Sequence, residues 1–312
     1  MHYLRIFQKF FINNQIRLKQ IIFGYLRWRT SFYNHLDDKS YLSKVYLMKF
    51  GRNINWNNPM TFNEKLNWLK VYDRKNLYTK LADKYEVKQF VSDVIGKEYV
   101  VNNLFVYERP EELNIHSLPE QFVIKSTHDS SGAIICKDKK LFDKNIFLKK
   151  YKKMKNYYYY CREWPYLNIK PRIIIDEYLN DELSGDYNVP LIDYKFWCFN
   201  GIPQYVYCTI KGKSIYENFY DMNFFPVNIN HGFPRHEPEF KKPINFEKMI
   251  YLAQRLAIAS QASFIRVDFF NVKGKIYFGE FTFYDWAGLR PFASYEQDQS
   301  LGELIILPER KK

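Results

Sequence analysis

The strongest constraint on this chain is a stretch of period-two alternation between residues 264 and 283. Phe264-Ile265-Arg266-Val267-Asp268-Phe269-Phe270 alternates, Lys275 through Phe283 alternates again, and Asn271-Val272-Lys273-Gly274 links the two. Such a pattern predicts an antiparallel hairpin. A three-residue loop with Gly274 in the left-handed position is a favoured closure. It would set Arg266 opposite Glu280 and Asp268 opposite Phe278. One face then carries Arg266, Asp268, Glu280 and Thr282, and the other carries Ile265, Val267, Phe269, Tyr277, Phe281 and Phe283. The apolar face belongs to a core. On the charged face the two acids become diagonal neighbours, about 7–8 Å apart at the backbone and closer at their tips. Mg²⁺ suits such a pair, since it takes one or two carboxylates and completes its shell with phosphate oxygens and water. Arg266 could stabilise charge on a transferred group. A surface salt-bridge ladder has the same pattern, so the hairpin alone leaves both readings open. An even-length loop would put the two acids on opposite faces.

The remaining pattern mixes helices and strands, predicting an α+β chain. Thr61-Phe62-Asn63-Glu64 is a capping box that opens a helix. A second helix is predicted from about Leu77 to Val94, and a third over Lys139–Lys155. Gln121–Lys125 reads as a strand, Ser126–Gly132 as a polar loop and 132–136 as the return strand. Pro171–Leu179 is an apolar strand, Asp193–Asn200 and Gln204–Thr209 form a hairpin, 226–243 is Pro-rich loop, and Phe246–Gln261 is an amphipathic helix. Tyr157–Tyr160 is a tyrosine run with no readable role. The expected divisions are residues 1–40, 41–80, 81–178 and 179–312.

Charge narrows the partners. Forty-seven Lys and Arg against 34 Asp and Glu give a net +13, which attracts polyanions. No RRM, KH or zinc-finger signature is present, so nucleic acid is not expected. Aromatic residues reach 19%, read here as core rather than as a base-stacking platform. Cys136, Cys161, Cys198 and Cys208 show no metal-ligand spacing and read as reduced cysteines of a cytoplasmic protein. No run approaches the roughly 18 apolar residues of a membrane span, and no signal-peptide core opens the chain. Residues 1–35 form a basic amphipathic helical segment, with Leu4, Phe7, Phe11 and Ile12 among Arg5, Lys9 and Arg17. It could pack on its own domain or lie on the anionic inner face of the plasma membrane.

Two lysines supply an anion-binding side. Phe122-Val123-Ile124 ends in Lys125, followed by the small and polar Ser126-Thr127-His128-Asp129-Ser130-Ser131-Gly132. Such a loop can fold over polyphosphate, although an ordinary turn looks the same. Lys84 is expected on the helix that also carries Lys88.

The order of these pieces resembles the TupA-like ATP-grasp family of bacterial cell-surface polysaccharide loci. The carriers are Thr61-Phe62-Asn63-Glu64-Lys65-Leu66, Phe122-Val123-Ile124-Lys125, Arg162-Glu163-Trp164-Pro165-Tyr166, Lys170-Pro171-Arg172-Ile173, Asp193-Tyr194-Lys195-Phe196, Arg266-Val267-Asp268-Phe269 and Gly279-Glu280-Phe281-Thr282-Phe283. Leu301-Gly302-Glu303-Leu304 and Leu307-Pro308 match its C-terminal end.

The resemblance implies two α+β subdomains clamping a nucleotide cleft, with ATP and Mg²⁺ as cofactors. It implies that Lys84, Lys125 and Lys195 lie at the ATP phosphates and that Ser126, His128, Ser130, Ser131 and Gly132 belong to a covering loop. Glu177, Tyr178 and Leu179 would line the adenine, with Asp181, Glu182 or Asp186 near the ribose. Asp268, Glu280 and Thr282 would face the metal, and Arg266 with Lys125 would serve catalysis. Thr282 stands where the family places Asn, the 126–132 loop is glycine-poor, and Asp285–Arg290 departs from the family's small-residue version. The implied reaction joins a carboxylate to an amine through an acyl phosphate, with an anionic glycan or amino acid as substrate. A glycosyltransferase or small-molecule kinase of the same pathway is the alternative, although Asp-x-Asp is absent and Glu296-Gln297-Asp298 reads as a solvated loop. A degenerate nucleotide-binding protein is the third reading.

Overall fold

The computed structural model describes residues 32–129, 133–151, 161–179, 191–211, 215–230 and 232–310. The readings placed on residues 1–31, Ser130, Ser131, Gly132, Tyr157–Tyr160, Asp181, Glu182 and Asp186 lie outside the described residues. The chain divides into a unit of residues 1–54 and a unit of residues 55–312. In the first, helix α1 (Asp38–Phe50) is capped by Asp37, whose carboxylate accepts the Ser40 N–H, and ends at Gly51 in the left-handed region. Among the described residues no helix is long and apolar enough to cross a membrane.

The second unit is built on two antiparallel sheets. Helix α2 (Phe62–Tyr72) starts at the predicted capping box, with Thr61 accepting from the Glu64 N–H and Glu64 accepting from the Thr61 N–H. The single helix expected over 77–94 is two, α3 (Asn76–Ala82) and α4 (Glu86–Ile95). The break has a local cause: the Asp83 carboxylate accepts the Tyr85 N–H at 2.8 Å, a bond that competes with continuing the helix. Lys84 therefore sits in the corner between two helices rather than on one.

Strands β1 (Asn103–Tyr107), β2 (Phe122–Ser126), β3 (Ile134–Cys136) and β4 (Ile173–Glu177) form a sheet in the order β1-β4-β2-β3. Helix α5 (Lys144–Tyr151) buries Phe147 in the core of this layer, beside Phe122 and Ile175.

The second sheet has six strands: β5 (Asp193–Phe199), β6 (Ile202–Lys211), β7 (Ile215–Tyr220), β8 (Pro226–Val227), β9 (Phe264–Val272) and β10 (Lys275–Thr282), ordered β10-β9-β5-β6-β7-β8. Every residue of β5 is buried because the sheet is covered on both faces. Phe196 packs at 5.8 Å on Phe246 of helix α6 (Phe246–Ser260), while Trp197 stacks at 5.1 Å on Phe62 of α2. Phe264 meets the Phe62 ring at 4.9 Å and Trp197 at 6.1 Å, so the aromatic wealth of the sequence serves this core. Helix α7 (Tyr295–Glu303) takes in Glu296-Gln297-Asp298, which is thus no solvated loop. Asp298 is buried and accepts from the backbone and side-chain amides of Asn63 at 3.0 Å.

The hairpin register corrects the sequence expectation. Lys273 and Gly274 both have positive φ (53° and 81°) and close a two-residue turn, pairing Val272 with Lys275. Unbroken pairing from that turn would separate Asp268 from Glu280. A bulge between Phe278 and Glu280 restores parity, so Glu280 pairs directly with Asp268 and Thr282 with Arg266. Between turn and bulge the two-residue closure exchanges two aromatics: Phe278, not Tyr277, is the buried residue opposite Phe269.

Candidate active site

The charged ends of the two sheets face one cleft. Its volume is about 370 Å³, within the range of small-molecule sites. Lys84, Lys88, Lys125, Ser126, Asp129 and Asp176 line it from the helical corner and the first sheet. Asp193, Lys195, Asp268, Gly279 and Glu280 line it from the second.

Asp268 anchors the second side. It is buried, and Arg266 grips both its oxygens at 2.7 Å, a bidentate pair. Lys195, opposite it on β5, donates at 2.6 Å. Burial disfavours the Asp268 charge, but Arg266 and Lys195 outweigh burial and hold the carboxyl below its usual range. Lys195 also pairs with Asp193 at 3.3 Å; burial opposes its charge, yet these acids lift its pKa. The Arg266 guanidinium reaches further, to Glu280 at 3.3 Å, Asp285 at 2.5 Å and the Tyr207 hydroxyl at 3.0 Å.

One guanidinium nitrogen, Nη2 of Arg266, touches both Asp268 and Glu280. The two carboxylates therefore converge closely enough to share one cation. Hard oxygen donors in that number fit Mg²⁺, which leaves the rest of its shell to phosphate and water. Thr282 lies two register pairs beyond, opposite Arg266, and is not among the residues lining the cleft.

The first side is organised by Asp176, which is almost fully buried between Lys125 at 2.9 Å and Lys88 at 2.5 Å. Lys125 and Asp176 are diagonal neighbours, because Lys125 pairs with Ile174 and Asp176 with Val123. Burial pushes the Lys88 ammonium down to about 8, against the pull of Asp176. Lys84 donates to the backbone carbonyl of Asp129, and burial lowers its pKa too. Asp129 thus presents its backbone to Lys84. The Ser126 hydroxyl and the His128 ring nitrogen lie 3.1 Å apart, and burial depresses the imidazole pKa.

Glu177, Tyr178 and Leu179 are not among the residues lining this cleft, although Asp176 beside them is. Glu177 is exposed, and its N–H is already donated to the Asn102 carbonyl at 3.1 Å.

Asp176, Asp193 and Asp285 were missed as site residues. Asp176 carried a readable signal, an acid inside an otherwise apolar strand, since a buried charge needs a partner. Asp193 shares the Lys195 parity on β5. Asp285 carried no such signal, because only tertiary packing brings it to Arg266.

A family model of the TupA-like ATP-grasp group matches residues 64–306. The chain belongs to that family. Its α+β architecture is of the ATP-grasp type. Similar solved structures include D-alanine–D-alanine ligase from Bacillus anthracis, at 14% identity, covering 65% of this chain and 57% of that one, with a TM-score of 0.39. The Helicobacter pylori D-alanine–D-alanine ligase is 14% identical over 72% of this chain and 58% of its own, with a TM-score of 0.39. For N5-carboxyaminoimidazole synthetase from Staphylococcus aureus the values are 13%, 73%, 53% and 0.37. The chain spans little more than half the length of these proteins. No curated protein matches it.

Proposed function

We propose that this TupA-like ATP-grasp chain is an ATP- and Mg²⁺-dependent carboxylate–amine ligase. The observation that carries the reading is the convergence of Lys84, Lys125 and Lys195 with the paired acids Asp268 and Glu280 on one cleft. The lysines offer point charges to a triphosphate. Mg²⁺ held at Asp268 and Glu280 supplies charge neutralisation at the phosphates. Arg266 fixes the Asp268 carboxylate and sets a permanent positive charge where phosphoryl oxygens would gather. Holding the acid and the amine in one cleft then supplies much of the remaining rate through positioning.

In the reaction, a carboxylate oxygen attacks the terminal phosphorus of ATP and ADP leaves. A neutral amine nitrogen then attacks the acyl carbon, the carbon–oxygen bond to phosphate breaks, phosphate leaves, and the nitrogen gives up one proton to phosphate or water, leaving an amide. The carboxylate is read as a uronic acid or related group of a surface polysaccharide, and the amine as an amino acid or simple amine. The +13 charge supports an anionic substrate and a contact of the basic 1–35 segment with an anionic membrane face.

The test is a screen of uronic and amino acids against amines, following ADP release and amide mass. ADP release that requires both partners supports the ligase. Release with an acid or sugar alone, giving a stable phosphorylated product, makes it a kinase. Stabilisation by sugar nucleotides but not by ATP–Mg²⁺ makes it a glycosyltransferase.

A further inference from the structure

The turn that follows β10 is held more firmly than a plain connection requires. Trp286, Ala287 and Gly288 are left-handed in succession, with φ of 46°, 57° and 57°. Two of the three carry side chains, and strain of this kind gathers at functional positions. Three buried side chains of α2 hold the turn by its carbonyls: Lys70 donates to Ala287 at 2.6 Å, Asn67 to Gly288 at 2.6 Å and Asn63 to Arg290 at 3.1 Å. At its start Asp285 turns inward and meets Nη1 of Arg266 at 2.5 Å, while Nε and Nη2 of the same guanidinium grip Asp268. Trp286, the next residue, turns outward and stays 44% exposed.

Arg290 closes on that indole. Its guanidinium carbon lies 4.0 Å from the centre of the Trp286 ring and 4.1 Å from that of Phe233, and the two rings are 5.4 Å apart. These distances form a compact triangle, so both rings lie to one side of the guanidinium and leave its other side clear of them. The side chain is half-buried, yet it makes no hydrogen bond or ion pair with a described residue. Arg266, by contrast, spends its donors on Asp268, Glu280, Asp285 and Tyr207. Burial lowers the Arg290 pKa against the pull of Glu217, Asp285 and Tyr207, so these neighbours do not make good its lost hydration. A guanidinium braced on aromatic rings is a pre-set fork for the two oxygens of a carboxylate.

We propose that Arg290, braced by Trp286 and Phe233, binds a substrate carboxylate that takes no part in the reaction. The inference rests on the ligase reading and adds a second point of attachment to it. The reacting acid belongs at Asp268 and Glu280, and the spectator acid belongs at the turn anchored to the same Arg266 through Asp285. Arg290 is not among the residues lining the cleft, so this attachment is additional to that of the nucleotide. Two sources carry such a group: a neighbouring uronate of a glycan chain, and the α-carboxylate of an amino acid serving as the amine.

The experiment measures binding without turnover, as the rise in melting temperature of the full chain with ADP–Mg²⁺ at constant ionic strength. Two probe pairs differ in their carboxylates: tri(galacturonic acid) against its methyl ester, and L-alanine against L-alaninamide. The wild type should bind the carboxylate member of at least one pair about tenfold or more tightly than its partner. Arg290→Gln should remove that preference, while the affinities for ADP–Mg²⁺ and for the partner probe stay within about twofold of wild type. Arg290→Lys keeps the charge without the fork and should retain part of the preference. Loss confined to the galacturonate pair assigns the site to a glycan uronate, and loss confined to the alanine pair assigns it to the amino acid; either supports the site. No preference in the wild type, a preference unchanged in Arg290→Gln, or an equal fall for every ligand including ADP–Mg²⁺, as a loosened turn would give, overturns it. Should Arg290→Gln not fold, Arg290→Lys must show the same selective loss in smaller measure, and its absence overturns the site as well. Turnover is read separately. A chain that keeps the Arg290-dependent preference but joins no acid to any amine loses the ligase reading and not the carboxylate site.

Discussion

Glu280 stands directly across from Asp268 because Gly279 is one residue more than the pairing of β10 requires. A Cβ at Gly279 would meet the Asp268 carbonyl at 3.2 Å and the Phe270 ring at 3.3 Å, so the bulge is built around the missing side chain. The two acids thereby face one side of the sheet, although the two-residue turn below would otherwise have split them.

Glu280→Gln should uncouple metal from nucleotide with little effect on the resting fold. The Glu280 side chain keeps 36% exposure, and its 3.3 Å contact with Arg266 is partly solvated, so its loss should cost under about 1 kcal/mol. The Mg²⁺ concentration that half-saturates the ATP-induced rise in melting temperature should increase about tenfold or more. An unchanged Mg²⁺ dependence would remove Glu280 from the metal site.

Arg266 behaves differently. It is buried and holds Asp268 and Asp285, themselves buried, at 2.7 and 2.5 Å. Arg266→Met leaves both acids without their guanidinium, which should cost about 3–5 kcal/mol in urea unfolding. Arg266→Lys should recover only part of this, because an ammonium cannot reproduce the two-pronged grip. A Met variant as stable as wild type would show that the cluster does not stabilise the fold.

Much of this site could be read from residue order, and the exceptions are instructive. Parity placed Arg266, Asp268 and Glu280 on one face, because alternation is a backbone property visible in sequence. The register was wrong, because loop length and bulge erred together and their errors cancelled for the acids but not for Tyr277 and Phe278. Lys84 was assigned to a helix because apolar periodicity runs on through Asp83, whose turn-forming bond interrupts it. Asp285 reaches Arg266 only through tertiary packing, which no local pattern encodes. The family resemblance covered the region matched over 64–306.

Glu163 also predicts a pH effect. Burial pushes its carboxyl from 4.5 up to about 7, against the attraction of Lys70 and Arg266 and with the repulsion of Asp285 and Glu280. Below about 4.5 the group is protonated in both folded and unfolded chains, so its protonation contributes no pH dependence. Between about 4.5 and 7 the unfolded chain releases the proton while the folded chain keeps it, so stability falls as pH rises. Above about 7 the loss levels off. Glu163→Gln lacks this titration. Relative to wild type it should gain stability from about pH 4.5 to about pH 7 and then plateau in urea melts, and parallel pH curves would contradict the burial argument.

Gly302 explains why a glycine occurs in the Leu301-Gly302-Glu303-Leu304 motif, and it gives the sharpest test of the packing behind the site. Its Cβ would lie 2.3 Å from the Met60 carbonyl oxygen, 2.6 Å from Thr61 C and 2.7 Å from Phe62 N. These are backbone atoms, so no side-chain rotation relieves the clash. The strain falls where α2 begins, at the Thr61–Glu64 capping box and the Phe62 ring that packs on Trp197. Gly302→Ala should therefore cost about 1–3 kcal/mol through overpacking, despite the helix propensity gained. Thr61→Ala removes one cap bond and should cost about 1 kcal/mol. Because both act on the same turn, the double variant should be less destabilised than the two single losses added together. Chemical unfolding of the four proteins measures this directly. Simple additivity would mean that the Gly302 contact and the cap act independently, and that α7 does not set the position of α2.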